Sequence, residues 1–220
     1  ASGALALNAD VSSGSGNITL VAGNGLSIAS GVSTITGAGD IFMDAGIGAL
    51  LQSSTSTTAA GENVRLVATG DVTVAEVIAD KISVLSSANI ITAPGASLNL
   101  SASALRLDAG QAIGTGTDPL TLSVSELSAL ANTGGIFLSE SDDITVSSVG
   151  VTTDKVGADA TTTPIADGAL SDLQSGSNGS IVLSASGSIT LDDGDTDGSV
   201  VAAAGSGNIL LDASGALALN

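Results

Sequence analysis

Two short apolar bursts separated by a tight corner recur along this sequence, and the recurrence restricts the fold more than any other feature. Each copy reads apolar-x-apolar-x-small-x-turn-x-apolar-x-apolar. It fits Ile18, Leu20, Ala22, Leu26 and Ile28, then Val64, Leu66, Ala68, Val72 and Val74, then Ile82, Val84, Ser86, Ile90 and Thr92. It fits again at Ile136, Leu138, Glu140, Ile144 and Val146, at Ile181, Leu183, Ala185, Ile189 and Leu191, and at Ile209, Leu211, Ala213, Leu217 and Leu219. Looser versions start at Ile41 and Leu98. Alternation with a period of two is the signature of a strand and not of a helix. Asn24, Gly70, Gly187 and Gly215 stand between the bursts, where a sharp corner asks for backbone angles that glycine and asparagine tolerate. Neighbouring copies start 16 to 23 residues apart where nothing intervenes, a spacing that matches one coil of a solenoid.

The residues available for a core agree with that reading. The chain has 220 residues, 43% of them apolar, yet its only aromatic residues are Phe42 and Phe137. Ala, Val, Leu and Ile fill a narrow interior well and a thick one badly. A parallel β-helix stacks such residues in columns, with Ser, Thr and Asn facing out. Roughly ten coils rising ~4.8 Å each would make a rod of about 50 Å. A β-sandwich also uses short strands joined by turns and is the structural alternative, although its core usually contains large aromatic side chains. Disorder is disfavoured because branched aliphatics recur in every short segment. Ser125 to Asn132 and Ala166 to Gln174 have room for a helical turn or two.

Charge removes several functions. Arg65, Lys81, Arg106 and Lys155 face 22 acidic residues, a formal net charge of −18. Nucleic acid needs clustered cations, and anionic lipid surfaces need them too, so both partners are excluded. Oxygen-rich acidic surfaces favour divalent cations, Ca²⁺ above all. With no His, Cys, Tyr or Trp, catalytic groups reduce to carboxylates, hydroxyls and four cations, and the chain reads as a non-enzyme. No apolar run is long enough to span a bilayer, as expected of an interior or mature exported segment that does not itself insert in a membrane.

The segment Ile113-Gly114-Thr115-Gly116-Thr117-Asp118-Pro119-Leu120-Thr121-Leu122, continued by Thr133-Gly134-Gly135-Ile136-Phe137-Leu138, resembles the repeat regions of filamentous-haemagglutinin-like proteins. The Gly-Asn-Ile-x-Leu openings at 16 and 207 share that resemblance, which extends to the giant tandem-repeat surface proteins of bacteria. It covers most of the chain except residues 147 to 180. The resemblance implies a right-handed parallel β-helix, exported to the cell surface or extracellular matrix and used in adhesion or filament building. It brings no catalytic residues with it.

Several local features add candidate sites. Asp193-Gly194-Asp195-Thr196-Asp197-Gly198 matches the first half of an EF-hand loop, making Asp193, Asp195 and Asp197 candidate Ca²⁺ ligands. The second half fails, since Ala204 stands where the bidentate Glu is expected; the alternative is a solvated acidic corner. Glu140, Asp142 and Asp143 form a second acidic cluster at a corner, where surface solubility is the expected role. Residues 147 to 180 break the strand rhythm and read as an excursion from the rod, a natural place for recognition. Phe42 and Phe137 each follow the first Ile of a burst and are expected to point outward, to be covered by a loop or to meet another rod.

Ala1 to Asn8 recurs as Ala213 to Asn220, an offset of 212 that suggests one period of a tandem array whose partners are its own neighbouring units. The functional expectation is a structural or adhesive stalk of an extracellular or surface protein. A Ca²⁺-dependent module binding glycans or proteins of a host or neighbouring cell is the alternative, and a polysaccharide-active enzyme built on paired carboxylates is a distant third.

Overall fold

A computed structural model describes residues 2–220. Among the described residues there is no helix, and both stretches with room for a helical turn lie in strands or their connections. Every strand pairing between successive coils is parallel, which overturns the sandwich alternative and makes the chain a parallel β-helix. The strands are three to twelve residues long and many alternate in burial; Asn63–Ala68, for example, buries Val64, Leu66 and Ala68.

Three faces make up each coil. The first carries Leu5–Leu7, Leu26–Ile28, Leu50–Gln52, Val72–Val74 and Ile90–Thr92. The second carries Val11–Ser13, Ser33–Thr36, Thr57–Ala59 and Glu76–Ile78. The third carries Ile18–Val21, Ile41–Asp44, Asn63–Ala68 and Lys81–Ser86. Leu100–Ala109 and Leu120–Ala131 are long enough to run along the second face and turn onto the third.

The core is a set of aliphatic columns. One column stacks Ile18, Ile41, Val64, Ile82, Leu105, Leu127, Val146, Leu191 and Leu219, nine levels in register. Another stacks Leu5, Leu26, Leu50, Val72, Ile90, Ile113, Ile136, Ile181 and Ile209. Columns of this kind reward γ- and β-branched aliphatics, which interlock without a wide interior to fill. The side chains of Gln52 and Asn99 also sit inside, and both are bonded. Gln52 donates to Thr58 Oγ1 at 2.7 Å and accepts from Ala75 N, while Asn99 donates to the Val74 carbonyl at 2.8 Å and accepts from Thr121 N.

Asp and Asn at the corners tie coil to coil. Asn17 Oδ1 accepts the amide of Asp40, Asp40 Oδ1 that of Asn63, Asp71 Oδ1 that of Asn89, and Asn89 Oδ1 that of Ala112. Corner amides turned away from the ladder would otherwise lack a partner. Part of the acidic excess therefore has structural work at corners. Glycine serves where coils approach too closely for a side chain, as at Gly61, whose added Cβ would strike the Gly37 carbonyl.

The upper coils redistribute the strands over the same contour. Ile136–Glu140 spans the first and second faces, with Ile136 over Ile113 and Leu138 over Leu120. The long third-face strand below then supports two short ones: Ile144–Val146 over Glu126 and Leu127, and Leu173–Ser175 over Ala129 to Ala131. Between these two, the chain makes an antiparallel hairpin from Ser148–Val156 and Thr162–Ser171.

This hairpin does not project. It runs back down the third face across the coil strands and covers the outward column Thr19, Phe42, Arg65, Ser83, Arg106 and Ser128. Nine residues of strand reach about 30 Å, enough to cross these six levels. Val156 N donates to Thr19 Oγ1 and Asn63 Nδ2 to the Thr152 carbonyl. Arg65 makes a bidentate pair with Asp167 at 2.8 Å, and Arg106 Nε donates to the Gly168 carbonyl. Val149 and Val151 bury against Ala104. Phe42 lies beneath with only 3% exposed, its ring under both Arg65 and Lys155 at 5.3 and 5.0 Å. Phe137 lies against Gly116 and Gly135, beside the 114–119 turn.

Candidate cation site

The acidic loop and the hairpin enter the rod at the same point of successive coils. Ile189–Leu191 stacks on Ile144–Val146, and Val201–Ala203 stacks on Leu173–Ser175. What joins the lower pair is the hairpin; what joins the upper pair is the loop from Asp192 to Val200. The loop consequently lies across both feet of the hairpin. Gly194 packs so closely on Ser148 that a Cβ there would sit 2.6 Å from the Ser148 backbone nitrogen. Asp172, immediately after the hairpin, comes within reach of Asp195 and Asp197.

Each of Asp172, Asp195 and Asp197 offers a carboxylate oxygen, and these oxygens all lie within 4.8 Å of one another. That spread suits a common ion with ligands at about 2.4 Å, the distance Ca²⁺ prefers. Asp195 and Asp197 are exposed, whereas Asp172 is 1% exposed and neither of its carboxylate oxygens has a well-formed hydrogen bond. Gln174 is its one favourable polar neighbour. Burial first, and then the charge of Asp195, push the Asp172 carboxyl up to about 6. Its backbone is held at φ 72°, with its amide donating to the Ser147 carbonyl and its carbonyl accepting from Ala129 N. The backbone of Asp172 is thus fixed at the hairpin foot, where its side chain is buried.

The loop backbone is shaped by its own carboxylates. Asp193 Oδ2 accepts the amide of Gly198 at 2.8 Å, Asp195 Oδ1 that of Asp197, and Asp197 Oδ1 that of Ser199. The Gly198 amide holds the Asp193 carboxyl below the usual carboxylate range. Of the three candidate ligands in the motif, the structure brings Asp195 and Asp197 together with Asp172 and turns one oxygen of Asp193 to closing the loop. Asp172 was not recognisable as a ligand from local spacing. Its signal lies in the stacking, because hairpin and acidic loop occupy one insertion point one coil apart.

The cations are committed elsewhere: Arg65 to Asp167, Arg106 to Asp108 and Lys155 to the Phe42 ring, while Lys81 stands exposed. In the second acidic cluster Asp142 and Asp143 are exposed, as a surface role expects, whereas Glu140 departs from it. Glu140 is 2% exposed and accepts the amides of Val124, Ser141 and Asp142; Asp143 accepts the amide of Ser188. Glu140 points inward because it occupies the small position of its copy, so burial raises its carboxyl and the three amides pull it back. A separate shallow groove of about 600 Å³ runs along the outward column Asp44, Val67, Leu85 and Asp108.

No protein-family model matches this chain, no curated protein matches it, and no solved structure matches it. Among the described residues, no helix is long and apolar enough to cross a membrane.

Proposed function

We propose that this chain is a load-bearing structural segment of an adhesive stalk, exported to a bacterial surface or matrix, in which Ca²⁺ clamps the foot of the strapped hairpin. The observation that carries the reading is the pair of nine-level aliphatic columns, braced lengthwise by a hairpin that crosses six coils. Stacking alone makes each coil depend only on its neighbours. A brace that crosses the coil strands ties distant levels together, as tension along a rod requires. The resemblance to filamentous-haemagglutinin-like repeats supports the surface location, as fold-level analogy.

Asp172 supports the calcium part of the reading. A buried carboxylate without a strong donor is costly, and a divalent ion shared with Asp195 and Asp197 removes the cost. The same site favours the second reading, a Ca²⁺-dependent binding module for glycans or proteins, since an ion with open positions can take ligand hydroxyls. Glycan and protein arrays with and without chelator, run beside single-molecule pulling, separate them. The stalk reading expects high unfolding force that falls in chelator, with no chelator-sensitive ligand. Tight chelator-sensitive capture of a glycan would replace it by the binding module. Release of reducing ends from a polysaccharide would replace it by an enzyme.

A further inference from the structure

The octapeptide that occurs twice in the sequence forms a strand twice in the structure, and the two strands use opposite edges. Leu5–Leu7 pairs upward, with Leu26, Ser27 and Ile28. Leu217–Leu219 pairs downward, with Ile189, Thr190 and Leu191. Among the described residues neither has a strand on its other side, and Leu217 and Leu219 are 49% and 77% exposed. Overlaid as one strand, they would sit between Ile189 and Leu26 at one inward position and between Leu191 and Ile28 at the other. Both columns then continue in aliphatics.

We propose that a second copy of this unit continues the helix through that shared strand, and that each junction turns the coil pattern by one face. The proposal rests on reading the chain as part of a rod. Two sequence offsets and one strand register agree on it. The octapeptide recurs at an offset of 212, the Gly-Asn-Ile motif recurs at an offset of 191, and the difference of 21 equals the separation of the paired residues Leu5 and Leu26. With that spacing, Ile18, Leu20 and Ala22 of the next unit land on Ile209, Leu211 and Ala213, as Ile209, Leu211 and Ala213 land on Ile181, Leu183 and Ala185 within the unit. Ile209 and Leu210, half-exposed, gain a covering coil, and Leu210 falls beneath Thr19, where the next unit's hairpin closes. A cleft of about 490 Å³ beside Leu219 and Asn220, floored by Leu191 and Val201, lies where residues 9 to 11 of the next unit would pass.

The rotation follows from the columns. Leu5 belongs to the column of Ile90, Ile136 and Ile209, on the first face. Its equivalent Leu217 stands two positions before Leu219, in the column of Ile18 and Leu127, on the third. One face of a three-faced coil is roughly 120°, so successive hairpins spiral around the rod instead of lining one side. A unit advances the rod by about eight coils and a third, near 40 Å.

The test is a fusion of residues 1–220 to residues 9–220, in which one octapeptide serves both units. The chain has no cysteine, so introduced pairs report unambiguously. Asp212→Cys in the first unit with Val21→Cys in the second should form a disulfide under mild oxidation, because the two become neighbours in adjacent coils, at a Cα separation near 5 Å that a disulfide spans. Leu219→Asp should prevent that bond in the fusion while leaving the melting temperature of the single unit unchanged. Nitroxides at Ala158→Cys in both units should give one narrow distance. Bonding of Asp212→Cys to Ser27→Cys instead would overturn the rotation. A broad nitroxide distribution with no disulfide, from units that each melt normally, would overturn the junction and leave the stalk reading to its pulling experiment.

Discussion

Glu140 and Asp172 are both buried carboxylates in the same coil, and their surroundings are opposite. Glu140 receives three backbone amides and the Ser141 hydroxyl. Asp172 receives no well-formed hydrogen bond and faces two more carboxylates. Burial raises both, but at Glu140 hydrogen bonds oppose the rise, whereas at Asp172 like charge adds to it. The difference teaches that one acid completes a corner by itself and the other is complete only with a cation or a proton.

The comparison breaks most visibly at Glu140. Glu140→Ala orphans three buried amides and opens a void, which should cost about 3–5 kcal/mol. Calorimetry should then show a melting temperature lower by roughly 6–20 °C, taking about 2–4 °C per kcal/mol for a chain of this size. A shift under 2 °C would mean that Glu140 is not the corner's acceptor.

Calcium should act at the other acid and with the other sign. An ion present at a hundred times its Kd stabilises the folded state by about 2.7 kcal/mol, roughly 5–10 °C. Millimolar Ca²⁺ should raise the melting temperature of the parent by that order and leave Asp172→Asn unmoved. Equal shifts in both proteins would place the ion elsewhere.

Protons should compete for the same carboxylate. Because the folded state holds the Asp172 proton more tightly than the unfolded chain, its contribution to stability is present at low pH and is lost as pH rises from about 4 through 6. In chelator at pH 8, Asp172→Asn should therefore melt about 2–4 °C above the parent. The gap should close as pH falls below 5, and Ca²⁺ binding should weaken over the same interval. Asparagine suits the test because it tolerates the positive φ. A variant less stable than the parent at pH 8 would show that the charge is not a burden.

The columns were legible in the sequence because alternation and a 16 to 23-residue rhythm require only small aliphatics in order; the copies at 18, 41, 64 and 82 fall in adjacent registers of one face. The copy at 136 obeys the same pattern yet starts on a different face, since the pattern records burst and corner but not which side of the coil it occupies. The hairpin's path was illegible for a related reason. Thr19, Phe42, Arg65, Ser83 and Arg106 share one outward column, and a run of such different residues signals a covering element only after the registers are known. Glu140 shows the limit of composition, because an acid at a corner reads as surface until its amides are seen. Two of the three acids of the cation cluster were legible as the Asp195 and Asp197 spacing; Asp172 joins them only through the insertion shared by two coils.

The smallest effect separates the motif in the sequence from the cluster in space. If the ion is held by consecutive acids of an EF-hand-like turn, Asp193 is its first ligand, and Asp193→Ala should abolish the calcium response as fully as Asp195→Ala. In the structure Asp193 closes the loop by accepting the Gly198 amide, outside the cluster of Asp172, Asp195 and Asp197. Removing it loosens a turn that the packing of Gly194 on Ser148 and the amide bonds to Asp195 and Asp197 still shape. Isothermal titration of Ca²⁺ should accordingly find Asp193→Ala within about threefold of the parent affinity, less than the 1.4 kcal/mol that a tenfold change represents, and Asp195→Ala without measurable binding. Equal loss in the two variants would return the site to the linear motif, and Asp172 would then be a buried acid whose only remedy is its proton.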